Sequence, residues 1–243
     1  KIISDMFLPS EKEIVRTVSK GQKPYIQNSS KDNISILDVP MLVLVSPSSA
    51  SAAEILAGAL QQNNRAAVIG RTSYGKGSVQ QYRPLKNQSI FKFTVQEYQL
   101  KDGVSIQGVG IMPDIELLRH GIKEDGSVDL LPFSRSSESD AEFALKSHDN
   151  YVHNAAYHLS WLAEYEDLES MRKHYISAGP KFSPDQEAQL AMDLIAAALK
   201  TAEAEDKLNE ADLGNYGDLI IDLLQQPIAE RAKQEAEDLA KAL

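Results

Sequence analysis

Three side chains in this sequence have the types and spacing of an acyl-transfer site: Ser51, Lys76 and Gln80. Ser51 lies in Ser49-Ala50-Ser51-Ala52-Ala53-Glu54. The apolar run Met41-Leu42-Val43-Leu44-Val45 leads through Ser46-Pro47-Ser48 into it, and a helix is expected from Ser51 to Gln61. A serine where a strand gives way to a helix meets backbone N–H groups that have no intrahelical partner. Those donors stabilise an oxyanion if the serine attacks a carbonyl. The same residues also spell a capping box, in which the Ser51 hydroxyl and the Glu54 carboxylate satisfy helix-end N–H groups. At this point both readings stand.

The second stretch, Gly75-Lys76-Gly77-Ser78-Val79-Gln80, begins 24 residues after Ser51. Glycines on either side of Lys76 let the backbone approach closely and keep the lysine stem clear. Lys76 and Gln80 share a face on a helix or on a strand. A lysine amine acts as general base for a serine once burial or nearby positive charge favours its neutral form, and Ser–Lys pairs are a recognised variant of the serine triad. Gln80 can orient such an amine through a neutral hydrogen bond.

These two stretches, with Ser105-Ile106-Gln107-Gly108-Val109-Gly110-Ile111-Met112-Pro113-Asp114-Ile115 after them, resemble the C-terminal processing (tail-specific) protease family of Ser–Lys peptidases. The third stretch resembles the segment that closes that family's protease domain. The resemblance covers roughly residues 1–118. Ala53 departs from it, because the family often has a second serine there. The resemblance implies a serine endopeptidase in which Ser51 is the nucleophile, Lys76 the base and Gln80 its positioning group. It implies that the Ala52 N–H is one oxyanion donor, with the second supplied by a Gly-rich turn upstream of the present sequence. It further implies protein or peptide substrates cut near their C-termini, an upstream PDZ domain, no cofactor and no metal. The expected location is extracytoplasmic, in a bacterial periplasm. The alternative reading is a non-catalytic peptide-binding or scaffold module on the same fold.

Strand-like and helix-like segments alternate through the first half: Glu13–Val18, Met41–Val45, the Ser51 helix, Arg65–Gly70 and Ile90–Tyr98. Residues 20–33 read as an exposed loop or short hairpin. This pattern predicts an α/β core with a mixed sheet, followed by a mostly α-helical C-terminal region. The charge changes along the chain too. Residues 1–118 carry 13 basic and 10 acidic side chains, whereas the remainder carries 12 and 25. The expected division is therefore 1–118 as the C-terminal part of a protease core, 119–140 as linker and 141–243 as a helical domain. Helices are expected over 150–175, from the Ser183-Pro184-Asp185-Gln186 start, and over Ile228–Leu243. The helical region is a candidate surface for self-association or for an adaptor. The acidic excess argues against nucleic acid as a partner.

Other constellations carry less. Gly70-x-x-x-x-Gly75-Lys76 approaches a phosphate-binding loop, but Gly77 stands where Mg²⁺ needs Ser or Thr. His148, His153 and His158 recur at steps of five, which on a helix do not share a face. His120 and His174 have no sequence companion for a Ser-His-Asp triad. Asp102-Gly103 and Asp114 read as turn residues, Glu54 as a cap and Trp161 as packing. The sequence has no cysteine, so disulfides and thiolate metal sites are excluded.

Overall fold

A run with no polar side chain, Ala67-Val68-Ile69, is fully buried. Strands buried on both faces in this way favour parallel pairing. The computed structural model describes residues 1–30, 36–86, 88–122, 128–130, 137–142, 144–145, 152–162, 184–204 and 216–242. Its elements, in chain order, are α1 (Ile2–Phe7), β1 (Glu13–Val18), β2 (Tyr25–Asn28), β3 (Leu42–Val45), α2 (Ala52–Gln62), β4 (Ala67–Gly70), β5 (Ser78–Pro84), β6 (Ile90–Gln99), β7 (Ile115–Ile122), β8 (Val128–Leu130) and β9 (Tyr157–Leu162). Three helices follow: α3 (Pro184–Ala204), α4 (Gly217–Leu223) and α5 (Gln225–Ala242).

The fold is mixed α/β, with two sheets. One is antiparallel in the order β2-β1-β6-β5. The other runs β3-β4-β7-β8, with β3, β4 and β7 parallel, β8 antiparallel to β7, and β9 parallel to the opposite edge of β7. The expected strands at Glu13–Val18, Met41–Val45, Arg65–Gly70 and Ile90–Tyr98 are β1, β3, β4 and β6 within two residues at each end. Part of the polar stretch 20–33 forms the hairpin partner β2.

One expectation is corrected. Residues 157–162, read as part of a helix over 150–175, are strand β9, in register with Ile115–His120 of β7. Tyr151, Ala155, Leu159 and Leu162 sit at helical intervals, but Leu159 is wholly buried between Leu117 and the helices. A tertiary neighbour outweighs a local period. The linker expected over 119–140 holds the end of β7, all of β8 and a 3₁₀ turn at Glu138–Asp140. His148 and His174 lie outside the described residues, as do the side chains of His120 and Trp161.

Helix α2 lies between two apolar clusters. Ala59 and Leu60 pack with Leu8, Ile14, Val15 and Ala66, while Ala57 packs with Val45, Val68, Leu100, Ile106 and Ile111. Asn63 ends the helix and ties it to β1, its Nδ2 donating to the Glu13 carbonyl at 2.8 Å. Arg65 follows, fully buried, and donates to the carbonyls of Phe7, Ile36 and Val39 at 2.8, 2.9 and 2.9 Å. These anchors fix the C-terminal end of α2 relative to β1 and the N-terminal segment; Ser51 sits at the opposite end of the helix.

Candidate active site

Ser51 is the N-cap of α2, directly after the turn that leaves β3. Its backbone has φ 57° and ψ −115°, a conformation that side-chain-bearing residues rarely adopt. Such an outlier costs on the order of 1–3 kcal/mol and is held only by strong surroundings. Ser51 thus stands at a sharp strand-to-helix turn, between β3 and α2. Ala52 is the first helical residue, at a position whose N–H has no intrahelical acceptor.

Glu54 is the hub of this region. It is fully buried, and its carboxylate accepts four hydrogen bonds. Oε1 takes the Ser73 hydroxyl and, at 2.6 Å, the Gly75 N–H. Oε2 takes the Ser51 N–H at 2.8 Å and the Lys76 N–H at 2.9 Å. One oxygen atom therefore holds the backbones of Ser51 and Lys76 together, so the gap between them in sequence is closed in space. The capping box that Ser51 and Glu54 spell is formed, but the carboxylate does more than cap. Its reach to Ser73, Gly75 and Lys76 has no signal in the local sequence.

Two backbone bonds reinforce this contact. Arg71 N–H donates to the Val45 carbonyl at 3.1 Å, and Tyr74 N–H to the Ser49 carbonyl at 2.9 Å. On the other side, the segment after β6 supports the lysine loop. Gln107, 1% exposed, accepts the Gly77 N–H at 2.9 Å through Oε1. A Cβ on Gly77 would lie 2.9 Å from the Gln107 nitrogen, and Gly75 has φ +90° with the Val109 and Gly110 nitrogens 3.1 Å from its missing Cβ. The glycines beside Lys76 thus serve the close backbone approach expected of them. Gln107 and Ser73 received no role from the sequence, because their partners are remote along the chain.

Lys76 and Gln80 line one cleft of about 740 Å³, together with Ala50, Tyr74, Lys92, Phe93, Thr94, Glu138, Ala141, Glu142 and Ala144. The cleft reaches the turn between β3 and α2 through Ala50; Ser51 is the next residue. Its far wall is the Glu138 turn, joined to the lysine loop by the Glu138 N–H donating to the Tyr74 carbonyl at 2.9 Å. Burial, and next the Glu138 carboxylate that the phenol meets, push Tyr74 above its ordinary value.

The remaining candidates are placed elsewhere. Asp114 is more than a turn residue: its carboxylate is mostly buried and accepts the Val68 N–H at 2.6 Å while meeting His153 Nε2 at 2.7 Å. It clamps β4 to the segment that precedes β9. His158 pairs with Glu116 at 3.0 Å near the surface. Asp102 does turn the chain, with φ 59°. Among the described residues, no group of three or more His, Asp or Glu side chains is placed to hold a metal.

Comparison with known proteins gives the class first. Residues 2–117, the segment carrying Ser51, Lys76 and Gln80, match the family model of peptidase family S41. More narrowly, this segment is related to carboxy-terminal-processing proteases. A carboxy-terminal-processing protease of Bartonella bacilliformis is 42% identical over 113 residues, which is 46% of this chain and 26% of that protein. A probable CtpA-like serine protease of Staphylococcus aureus is 34% identical over 115 residues, 47% of this chain and 23% of that protein. The solved photosystem II D1 C-terminal processing protease is 32% identical with a TM-score of 0.39, covering 47% of this chain and 29% of that one. The chain spans about a quarter of the length of the curated relatives it matches.

Proposed function

We propose that the protein is a serine endopeptidase of the C-terminal processing type that works through a Ser51–Lys76 dyad. The observation that carries this reading is the single Glu54 oxygen that binds the backbone N–H groups of both residues. In the reaction, Ser51 Oγ attacks the scissile carbonyl carbon and its proton passes to the neutral Lys76 amine. The carbonyl π electrons move to the oxygen, which accepts the Ala52 N–H at the start of α2. Lys76 then gives the proton to the departing amine nitrogen as the C–N bond breaks, leaving an acyl-enzyme on Ser51. Water, deprotonated by Lys76, frees the acid product and restores Ser51. Gln80, on the wall that carries Lys76, orients the amine.

The substrates are polypeptides cut near their C-termini, bound in the cleft between β5–β6 and the Glu138 turn, and the chemistry uses no cofactor. A PDZ domain upstream and an extracytoplasmic, periplasmic setting belong to the same reading. Among the described residues no helix is long and apolar enough to cross a membrane. The helical C-terminal region, α3 to α5, serves as the contact surface for a second copy or an adaptor. Turnover of an unstructured polypeptide, followed by mass spectrometry of the products, tests the activity. Ser51→Ala and Lys76→Ala are each expected to abolish cleavage. Cleavage that survives both substitutions would remove the dyad, and binding without cleavage in the parent protein would favour the peptide-binding module.

A further inference from the structure

Between Lys76 and Gln80 lies Ser78, the first residue of β5. It is 5% exposed, and its hydroxyl oxygen is fully buried with no hydrogen-bond partner among the described residues. Buried hydroxyls are almost always paired, and an orphan calls for an explanation. The strand partner opposite, Glu97, takes the Ser105 hydroxyl through Oε1. Ser78 and Gln80 are two apart on β5, across the point where its register against β6 shifts. Thr94, the cross-strand partner of Gln80, lines the cleft together with Lys76 and Gln80. Ser78 therefore lies two residues from the base and two from the glutamine along the chain. The distance along an extended chain is about 7 Å in each direction, which a lysine stem can fold across.

We infer that Ser78 is a positioning residue for Lys76, accepting a hydrogen bond from the ammonium formed during acylation. This rests on the Ser51–Lys76 reading above. The reason is a count of donors. A neutral amine has two N–H bonds, whereas the ammonium has three and no acceptor capacity. When the proton of Ser51 arrives on Nζ, one N–H faces the leaving nitrogen and one faces the Gln80 carbonyl oxygen. The third needs an acceptor sheltered from water, and the Ser78 hydroxyl is a buried oxygen with its acceptor sites unused. No bond to Ser78 is made or broken. Its contribution is confined to the state in which Lys76 holds the extra proton, so it assists the chemical step and not substrate binding.

The test compares Ser78→Ala, Ser78→Val and Ser78→Thr in the whole protein, reading kcat and KM on one peptide, the rate of fluorophosphonate labelling at Ser51, and thermal stability. Alanine and valine are expected to lower kcat and the labelling rate about tenfold with KM unchanged, the size of one lost hydrogen bond to a charged group. Threonine, which keeps the hydroxyl, is expected to restore both rates. Removing an unpaired buried hydroxyl should leave the melting temperature unchanged or raised. Parent-like rates in the alanine and valine variants would overturn the assignment alone. Rate losses that simply follow a fall in melting temperature would do the same. A parent protein that neither turns over nor labels at Ser51 would overturn the dyad reading, and this assignment with it.

Discussion

Ser51 has a backbone conformation that a glycine would adopt without strain, φ 57° and ψ −115°. Strain at one residue persists when neighbours over-determine it, and here the Glu54 carboxylate, the helix and the Tyr74–Ser49 backbone bond do so. A direct consequence is a conflict between stability and chemistry at this position. Ser51→Gly is expected to stabilise the fold by about 1 kcal/mol relative to Ser51→Ala, while both abolish cleavage. Chemical denaturation of the two variants checks this, and equal midpoints would mean that the turn is not strained. The residue types at the site were legible in the sequence: a serine before a helix, a lysine between glycines, a glutamine four residues on. The strain was not legible, because φ is set by what Ser51 N–H and the helix must reach. Nor was the second duty of Glu54, whose partners Ser73, Gly75 and Lys76 arrive through folding of β4 back beside β3.

Elements were readable where the pattern is local. Strand β4 announces itself as an unbroken apolar run, and α2 by its cap and its apolar face. Strands β7 and β9 were not, since charged and histidine residues interrupt β7 and the apolar residues of β9 fit a helical period as well. Parallel pairing between segments some forty residues apart leaves no local trace. The Glu138 turn, which walls the cleft, falls within the linker expected over 119–140. Its contact with Tyr74 gives a pH prediction. Burial and the Glu138 carboxylate hold the phenol proton more firmly in the folded state than in the unfolded one. The resulting stability is fully present below pH 10 and is lost as pH rises above 10 through the raised folded value. Ultraviolet titration of the parent against Tyr74→Phe should show one phenol ionising late. Glu138→Gln should bring it part of the way back, and an unchanged titration would separate the turn from the cleft.

At the scale of the whole molecule, the change in charge after Leu118 does not mark a break in packing. Leu118 lies within β7. One buried cluster joins Ala67, Ile69, Ile115 and Leu117 to Leu159 and to Leu190, Leu194, Ile220 and Leu224 of the helices. The helices α3 to α5 thus rest their apolar faces on the strands of the first half. Leu194→Ala is expected to cost roughly 3 kcal/mol and to shift a single unfolding transition seen by helix and by aromatic signals alike. Two separate transitions, only one of them moved, would show that the halves are stable independently. The central claim, however, is that Ser51 is an activated nucleophile, and fluorophosphonate labelling with peptide mapping tests it most directly. An adduct on Ser51 in the parent that is lost in both Ser51→Ala and Lys76→Ala is the predicted result. An adduct that persists in Lys76→Ala, or a folded parent with none, would contradict it.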